Sequence, residues 1–388
     1  MRFPEFEGEW EESTIGKQFE LYSGNTPTRI NKELFNGTIN WISSGELKEH
    51  YIYSTKERIS QEAANNLKLL SVGTFVIAIY GLEAEGVRGT GSITQEPSTI
   101  SQACMAFTPK GEITNEFLYS WYKKHGNVIG VKYAQGTKQQ NLSYDILEKF
   151  KISYPNVMEQ DKLNLFFSLI DKRISTQNKI IEDLKKLKYA ISKQVFVQIP
   201  NEWNRLDTLF SKGKAGGTPT STNKDYYNGD IPFLSINDIT KQGKYIKYTE
   251  NHLSQSGLEN SSAWIIPKYS LIMSMYASVG LVTINEIPIA TSQAMFAMQL
   301  KDTNLLDYLY YYLSHFRYRH LYKYIETGTQ SNINADTVRR IMIPNYGHSR
   351  NIEIASTLKS IDAKIDNELS ILELLNGQKQ YLLRQMFI

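Results

Sequence analysis

The chain carries the same text twice. "GEW" ending at Trp10 returns as "NEW" ending at Trp203, and "TPT" from Thr26 returns as "TPT" from Thr218. "FNGTINWIS" from Phe35 becomes "YNGDIPFLS" from Tyr227, and "FVIAIYG" from Phe75 resembles "SLIMSMYA" from Ser270. "ISQA" from Ile100 meets "TSQA" from Thr291, and "GTKQQNLSYDIL" from Gly136 meets "GTQSNINADTV" from Gly328. "IDKRI" from Ile170 meets "IDAKI" from Ile361, and the halves end as "KQVF" to Phe196 and "RQMF" to Phe387. The offset barely drifts: 193 at Trp10/Trp203, 192 at Thr26/Thr218, 191 at Ile170/Ile361. An ordered duplication of this kind requires both halves to fold by one plan, with loops absorbing the length differences. In a chain of 388 residues each half is long enough to bury its own core.

Each half opens with mixed character. Short apolar or alternating runs predict strands at Ile39–Ser43, Thr74–Tyr80 and Cys104–Thr108, and again at Ile231–Ser235, Leu271–Tyr276 and Met295–Leu300. "NEFLYSWYKKH" and "LLDYLYYYLSHFRYRHLYKY" predict helices. Pro155 and Pro344 close the mixed regions, and a long helix follows each, the first capped by Asn156 with Glu159 three residues on. The expected boundaries are a first domain over 1–155, a helix over 156–198, a second domain over 199–346 and a second helix over 347–388.

In the first long helix Leu163, Phe167, Ile170, Ile174, Ile181, Leu184, Ile191 and Val195 form a heptad seam once Gln177 and Lys188 are admitted. In the second the seam is Ile354, Leu358, Ile361, Ile365, Leu372, Leu375, Leu382 and Met386, interrupted by Glu368 and Lys379. The interruptions fall at equivalent places. An antiparallel register that sets Gln177 opposite Lys379 also sets Lys188 opposite Glu368, and the apolar layers then match. The expected fold is therefore mixed α+β: two similar α/β domains separated and followed by two long helices, which form an antiparallel coiled coil in a pseudo-twofold molecule. The alternative is that each helix packs only on its own domain, its polar seam residues pointing outward. The pseudo-symmetry also predicts that Phe387 lies near Trp10.

Composition narrows the function. Hydrophobic residues make up 41% and charged residues 21%, which is globular composition, and the net charge of +3 permits a nucleic-acid partner without demanding one. The one cysteine, Cys104, allows no intrachain disulfide and reads as a buried apolar residue. The acidic, proline-broken start is no signal peptide, and no apolar run reaches the ~18 residues of a membrane span, so a cytoplasmic protein is expected. No P-loop, no Gly-x-Ser-x-Gly elbow and no methyltransferase signature is present, and the six histidines have no metal spacing. Catalytic residues and metal ligands are therefore assigned to none.

Binding remains. "YKKHGNVIGVKY" (Tyr122–Tyr133) and "HFRYRHLYKY" (His315–Tyr324) join cations to tyrosines, which suits phosphates and sugars, although tyrosines on the core face of a helix read the same way. The loops holding Lys138, Gln139, Gln140 and Asn141, and Gln330, Ser331, Asn332 and Asn334, carry side chains able to hydrogen-bond base edges; a polar surface turn is the alternative. The threonines of the Thr-Pro-Thr turns (Thr26, Thr28, Thr218, Thr220) are candidate phosphate contacts, or parts of a structural turn. Arg29, Arg88, Lys132, Lys214 and Lys323 complete the candidate DNA-binding set. Replacing Thr28 or Thr220 is expected to lower affinity without changing sequence preference.

Two divergent domains, each followed by a long helix, resemble the specificity subunit of a type I restriction–modification system. The residues that carry the likeness are "EQDKLNLFFSLIDKRI" after Pro155, the helix ends "LKKLKYAISKQVF" and "NGQKQYLLRQMF", the Gly-x-Thr-Pro-Thr loops, Gln102 and Gln293 of "SQA", and the "GT…N" loops. The likeness covers essentially the whole chain. It departs at "HSRNIEIASTLKSID", which lacks the Glu159–Gln160 pair of the first helix. The resemblance implies two target recognition domains, each reading half of a bipartite site on double-stranded DNA. It implies a coiled coil that sets the spacing and docks two modification subunits, which would carry S-adenosylmethionine and methylate adenine at N6. Restriction subunits with ATP and Mg would join them to cut DNA, and this chain would hold no cofactor. A helix of roughly 38 residues is about 57 Å long, enough to carry two domains to half-sites about 34 Å apart. The alternatives are a coiled-coil scaffold displaying two ligand modules that do not read DNA, and a self-sufficient enzyme such as a nuclease.

Overall fold

The computed structural model describes residues 1–84, 86–136, 140–276, 278–321 and 332–387. The chain divides into two compact units, one of residues 1–178 with 370–388 and the other of residues 179–369. The division cuts both long helices. Each unit thus holds one mixed domain, the first part of its own helix and the last part of the other repeat's helix.

In the first unit, strands β1 (Phe19–Ser23), β2 (Tyr51–Ile52), β3 (Phe75–Ala78), β4 (Gly91–Thr94) and β5 (Cys104–Pro109) form one sheet in the order β1-β5-β3-β4-β2. A three-stranded sheet joins Ile39–Ile42 to Arg58–Ile59 and Ser98–Ile100. Helix α1 (Asn115–Tyr133) starts on Thr114, whose side chain accepts from Phe117 N–H, and packs across the large sheet. Phe75, Phe107 and Phe117 are fully buried there, each contributing about 1.5–3 kcal/mol of burial. Helix α2 (Val157–Phe196) begins where Asn156 Oδ1 accepts from Glu159 N–H at 2.9 Å, the expected cap.

The second unit repeats the topology. Strands β6 (Phe210–Ala215), β7 (Tyr245–Ile246), β8 (Leu271–Ser274), β9 (Val282–Asn285) and β10 (Met295–Leu300) take the order β6-β10-β8-β9-β7, with α3 (Leu306–Arg319) on the sheet and α4 (His348–Met386) as the long helix. Its three-stranded sheet joins Tyr227–Leu234 to Asn251–Leu253 and Ala290–Thr291. The small antiparallel pairs Glu11–Thr14 with Lys151–Tyr154, and Glu202–Arg205 with Met342–Asn345, close the two domains at matching places.

The Glu159–Gln160 pair also has a counterpart. Buried Gln160 accepts from Thr114 N–H and donates to Pro155 O, tying the helix start to the domain. Asn351, 191 residues on and equally buried, accepts from Tyr346 N–H and donates to Asn345 Oδ1. A shorter amide does the same work there. Glu159, buried in the first unit, accepts from Nε and Nη2 of Arg2 (2.7 and 2.5 Å).

The helices run antiparallel in each unit. In the first, Phe167 meets Phe387 at 5.6 Å between ring centroids while Lys379 pairs with Asp171. In the second, Lys188 pairs with Asp362 at 2.5 Å, and Val195 and Ile354 line one cavity. The register of these charged pairs differs from the expected one. Lys379 pairs with Asp171, six residues before Gln177, and Lys188 pairs with Asp362, six residues before Glu368, a step of about 9 Å along the helix. The reason lies outside the two-helix seam. Asp171 also faces His50 Nδ1 at 3.7 Å, and Asp362 accepts from Tyr311 OH at 2.8 Å, so the domains fix which aspartates face the lysines. Gln177 and Glu368 are buried, and Glu368 accepts the i,i+4 ion pair from Lys364.

These contacts form one polar anchor written twice. Glu116 holds His50 Nε2 at 2.9 Å, and Asp307, its equivalent, holds Lys244 Nζ at 2.7 Å. Tyr51 and Tyr245 stand beside the two carboxylates, and burial followed by those charges pushes both phenols up to about 12. Burial raises the Asp307 carboxyl, but hydrogen bonds from Lys244 and Lys359 outweigh it and hold it below its ordinary range. Each domain is also sealed by the other repeat's helix. Phe196 packs on Tyr308 and Tyr312, while Phe387 packs on Phe117 and lies 6.4 Å from Trp10, as the pseudo-symmetry requires.

Candidate nucleic-acid interface

Three motifs far apart in sequence sit side by side in each unit, and backbone hydrogen bonds join them. In the first unit Gly24 N–H donates to Cys104 O and Asn25 N–H to Ile100 O, so the Thr-Pro-Thr approach lies on the "SQA" segment. Ala103 O then accepts from Ile79 N–H, and Ile79 O accepts from Leu142 N–H (2.9 Å each), which brings in the "GT…N" loop. The second unit repeats the chain of bonds: Gly216 to Met295, Gly217 to Thr291, Met275 to Ala294, Ile333 to Met275. The glycines before Thr-Pro-Thr are required by this closeness, since a Cβ on Gly24 would run into Ile100 O and one on Gly216 into Thr291 O.

Most candidate residues fall on or beside these two rows. Thr28 and Thr220 are exposed and Thr26 partly so; Thr218 Oγ1 donates to Gln293 Oε1 at 2.5 Å, coupling the turn to the exposed glutamine of "SQA". Gln140 and Arg88 act together. Arg88 Nη2 donates to Gln140 Oε1 at 3.0 Å, and Gln140 N–H donates to Glu83, holding that carboxyl below its usual range. Asn141 bridges both Tyr80 and Gln135 through its backbone, and Asn332 bridges Tyr276 in the equivalent place. Asn334 does something else: its side-chain oxygen accepts from Thr337 N–H and Oγ1, so it caps the short helix Ala335–Arg339. Lys132 lies exposed over the Tyr133 ring, and Lys214 reaches Ser262 O at 3.4 Å. Lys138, Gln139, Lys323, Gln330 and Ser331 lie outside the described residues.

Arg29 is held on three sides. Its guanidinium meets both Glu57 oxygens at 2.9 Å and stands 4.8 Å from the Phe35 ring centre and 5.5 Å from that of Trp41, and it holds the Glu57 carboxyl below its ordinary range. Arg29, a candidate DNA contact, already has its charge paired, though more than half of the side chain remains exposed. Of the tyrosines in "YKKHGNVIGVKY" and "HFRYRHLYKY", Tyr122 belongs to the core and Tyr318 is exposed. The residues that sequence reasoning left out are Tyr80 and Tyr276. They are 38% and 39% exposed, sit at the centre of the two rows and occupy matching positions in the aligned "FVIAIYG" and "SLIMSMYA". The repeat alignment itself was the signal for them.

A duplicated sheet domain with an exposed row of polar loops, tied through a partly buried ionic anchor to paired helices, defines a two-module binding protein. The chain belongs to the family described as type I restriction modification DNA specificity domain, whose model matches residues 7–186 and again 200–376. It is 27% identical over 194 residues to the type I restriction enzyme MjaIX specificity subunit of Methanocaldococcus jannaschii, covering 49% of this chain and 45% of that protein. It is 29% identical over 185 residues to the EcoR124I/EcoR124II specificity subunit of Escherichia coli, covering 46% and 45%. These matches span a little under half the length of either relative. The fold is similar to the crystal structure of a type I restriction–modification S subunit from M. genitalium, with TM-score 0.60, 16% identity and coverage of 98% and 96%. It is also similar to a chain from a type I R-M system studied for complex assembly and conformational transition, with TM-score 0.64, 15% identity and coverage of 97% of each chain. Among the described residues no helix is long and apolar enough to cross a membrane.

Proposed function

We propose that this chain is the DNA-reading subunit of a type I restriction–modification complex, each unit contacting one half of a bipartite duplex site. The observation that carries this reading is the pair of loop rows, built on one hydrogen-bond pattern but furnished with different side chains. One scaffold with two sets of side chains suits two half-sites of different sequence. The chain acts without catalytic groups or cofactors of its own; methyl transfer to adenine N6, ATP use and cleavage belong to modification and restriction subunits in the cytoplasm. The paired helices carry those subunits and set the spacing between half-sites. The modest charge of +3 fits a complex in which partner subunits share the phosphate contacts.

Duplex binding by the chain with its modification partner, measured across salt concentrations against scrambled competitor, tests the proposal. A specific complex whose affinity falls with rising salt is expected. Equal affinity for specific and scrambled duplex would favour a scaffold that does not read DNA.

A further inference from the structure

Superposing the two repeats by sequence shows one place where the copies differ in what fills a cleft. In the first unit the rings of Phe35 and Trp41 flank the Arg29 guanidinium, which Glu57 grips with two hydrogen bonds; Trp41 is only 3% exposed. The "TPTR" of the first repeat aligns with "TPTS" of the second, so Ser221 stands where Arg29 stands. Tyr227 and Phe233 occupy the places of Phe35 and Trp41. The strand registers, Ile39 with Ile59 and Ile231 with Leu253, place Asn251 where Glu57 is. The second unit therefore keeps an aromatic residue at both positions and lacks both the cation and the carboxylate.

A cavity opens against both aromatic positions and Asn251, with Ser221 outside its lining. Tyr227, Asn228, Phe233, Ser235, Asn251 and His252 line a cavity of about 380 Å³ in the second unit. The Tyr227 hydroxyl donates to Pro219 O at 2.8 Å, and Ser292 also lines the cavity, so the cleft borders both the Thr-Pro-Thr turn and the "SQA" segment. At its rim Asn228 holds φ of 60°, a left-handed conformation uncommon outside glycine, whereas Gly229 beside it carries no positive φ.

The first unit shows what shape such a cleft accepts: a flat group with hydrogen-bonding edges, laid against aromatic rings. In the second unit the edges are met by amide, hydroxyl and imidazole groups in place of a carboxylate. That lining selects a neutral flat group over a guanidinium. We propose that the Tyr227/Phe233 cleft is a seat for one nucleobase, stacked on the rings and held at its edge by Asn228 and Asn251. A base taken from DNA must leave its stack, at a cost of a few kcal/mol that ring stacking and edge hydrogen bonds offset. In the first domain the corresponding rings are already faced by the Arg29 guanidinium. The inference rests on the DNA-reading function for the source of the base, and on the cleft alone for its chemistry.

The test is to install the first unit's plug in the second with the double substitution Ser221→Arg and Asn251→Glu. Binding of free adenosine, guanosine, cytidine and thymidine to the full chain is followed by saturation-transfer NMR, and binding of the specific duplex is followed on the complex with its modification partner. The expected result is a nucleoside signal with the original chain that the plugged chain loses, and a tenfold or greater fall in duplex affinity. A duplex effect without a nucleoside signal supports a seat that takes its base only from DNA. A nucleoside signal without a duplex effect supports a seat for free nucleosides. Arg29→Ser in the first unit is the converse variant, expected to open a cleft and add a second nucleoside site. If plugging changes neither measurement, the seat is wrong. If it abolishes only assembly with the modification partner, the cleft receives a protein side chain and the proposal is likewise overturned. Failure of the original complex to bind any duplex would count against the DNA-reading function, while the nucleoside measurement would still decide the seat.

Discussion

Lys188 Nζ stands 2.5 Å from Asp362 Oδ1, and 191 residues away from each partner Lys379 pairs with Asp171. The same ionic contact thus recurs in the two units, made from opposite helices: the lysine comes from α2 in one and from α4 in the other. Each aspartate also meets its domain, through His50 in the first unit and Tyr311 in the second. The pair therefore ties helix to helix and helices to domain at one point.

Breaking that point costs more than a surface ion pair would. Lys188 and Asp362 are about three-quarters buried, and Asp362 has a second donor. Asp362→Asn and Lys188→Met should each lower unfolding free energy by about 1–2 kcal/mol, with a coupling in the double mutant that an exposed pair would not show. Chemical denaturation of the four chains of the cycle checks this.

Truncating the terminal aromatics should act across the repeats. Phe387 is 1% exposed and belongs to the second helix, yet it packs on α1 of the first domain. Phe387→Ala should destabilise by about 3–5 kcal/mol. Hydrogen exchange should show the loss in α1, while α3, sealed by Phe196, keeps its protection.

Acid should loosen both domains. The imidazole of His125 is pushed down to about 4 by burial and then by Lys124; that of His315 is pushed down to about 4 by burial and then by Arg319 and His320. The fold thus holds these rings neutral while the unfolded chain protonates them near 6.5, so falling pH favours unfolding. Their effect is absent above about pH 6.5, grows as pH falls toward 4, and levels off below it. Denaturation of the original chain and of His315→Phe at pH 7.5, 5.5 and 4.5 should show a smaller loss of stability in the variant.

The two loop rows should separate anchoring from reading. Thr28→Ala and Thr220→Ala should weaken duplex binding several-fold and leave the recognised sequence unchanged. Tyr80→Ala should weaken the first half-site only and Tyr276→Ala the second only, because each ring is exposed at the centre of one row. Competition binding with duplexes altered in one half-site at a time measures both.

Much of this architecture was legible because duplication lets each half check the other. The strand positions, the helix starts at Asn156 and near Pro344, and the meeting of Phe387 with Trp10 all followed from aligning the repeats. The ion-pair partners of the two seam lysines did not. A heptad seam records which residues face a partner helix, but His50 and Tyr311 approach the helices from the domains, and no pattern within a helix reveals them. The loop row was half legible: composition singled out polar side chains, but only the folded side-chain contacts reveal that Asn334 is a cap and that Arg29 is already paired. The cavity beside Tyr227 and Phe233 in the second unit follows from no pattern within the sequence.

The central claim is that each domain reads one half of a bipartite site independently. The most direct measurement is modified-base sequencing of DNA from cells carrying the chain with its modification partner, comparing the original chain with one whose residues 1–155 come from another family member. The account predicts a methylated motif in which one half-site changes while the other half-site and the spacing stay the same. A motif altered in both halves, or one left wholly unaltered, would contradict it.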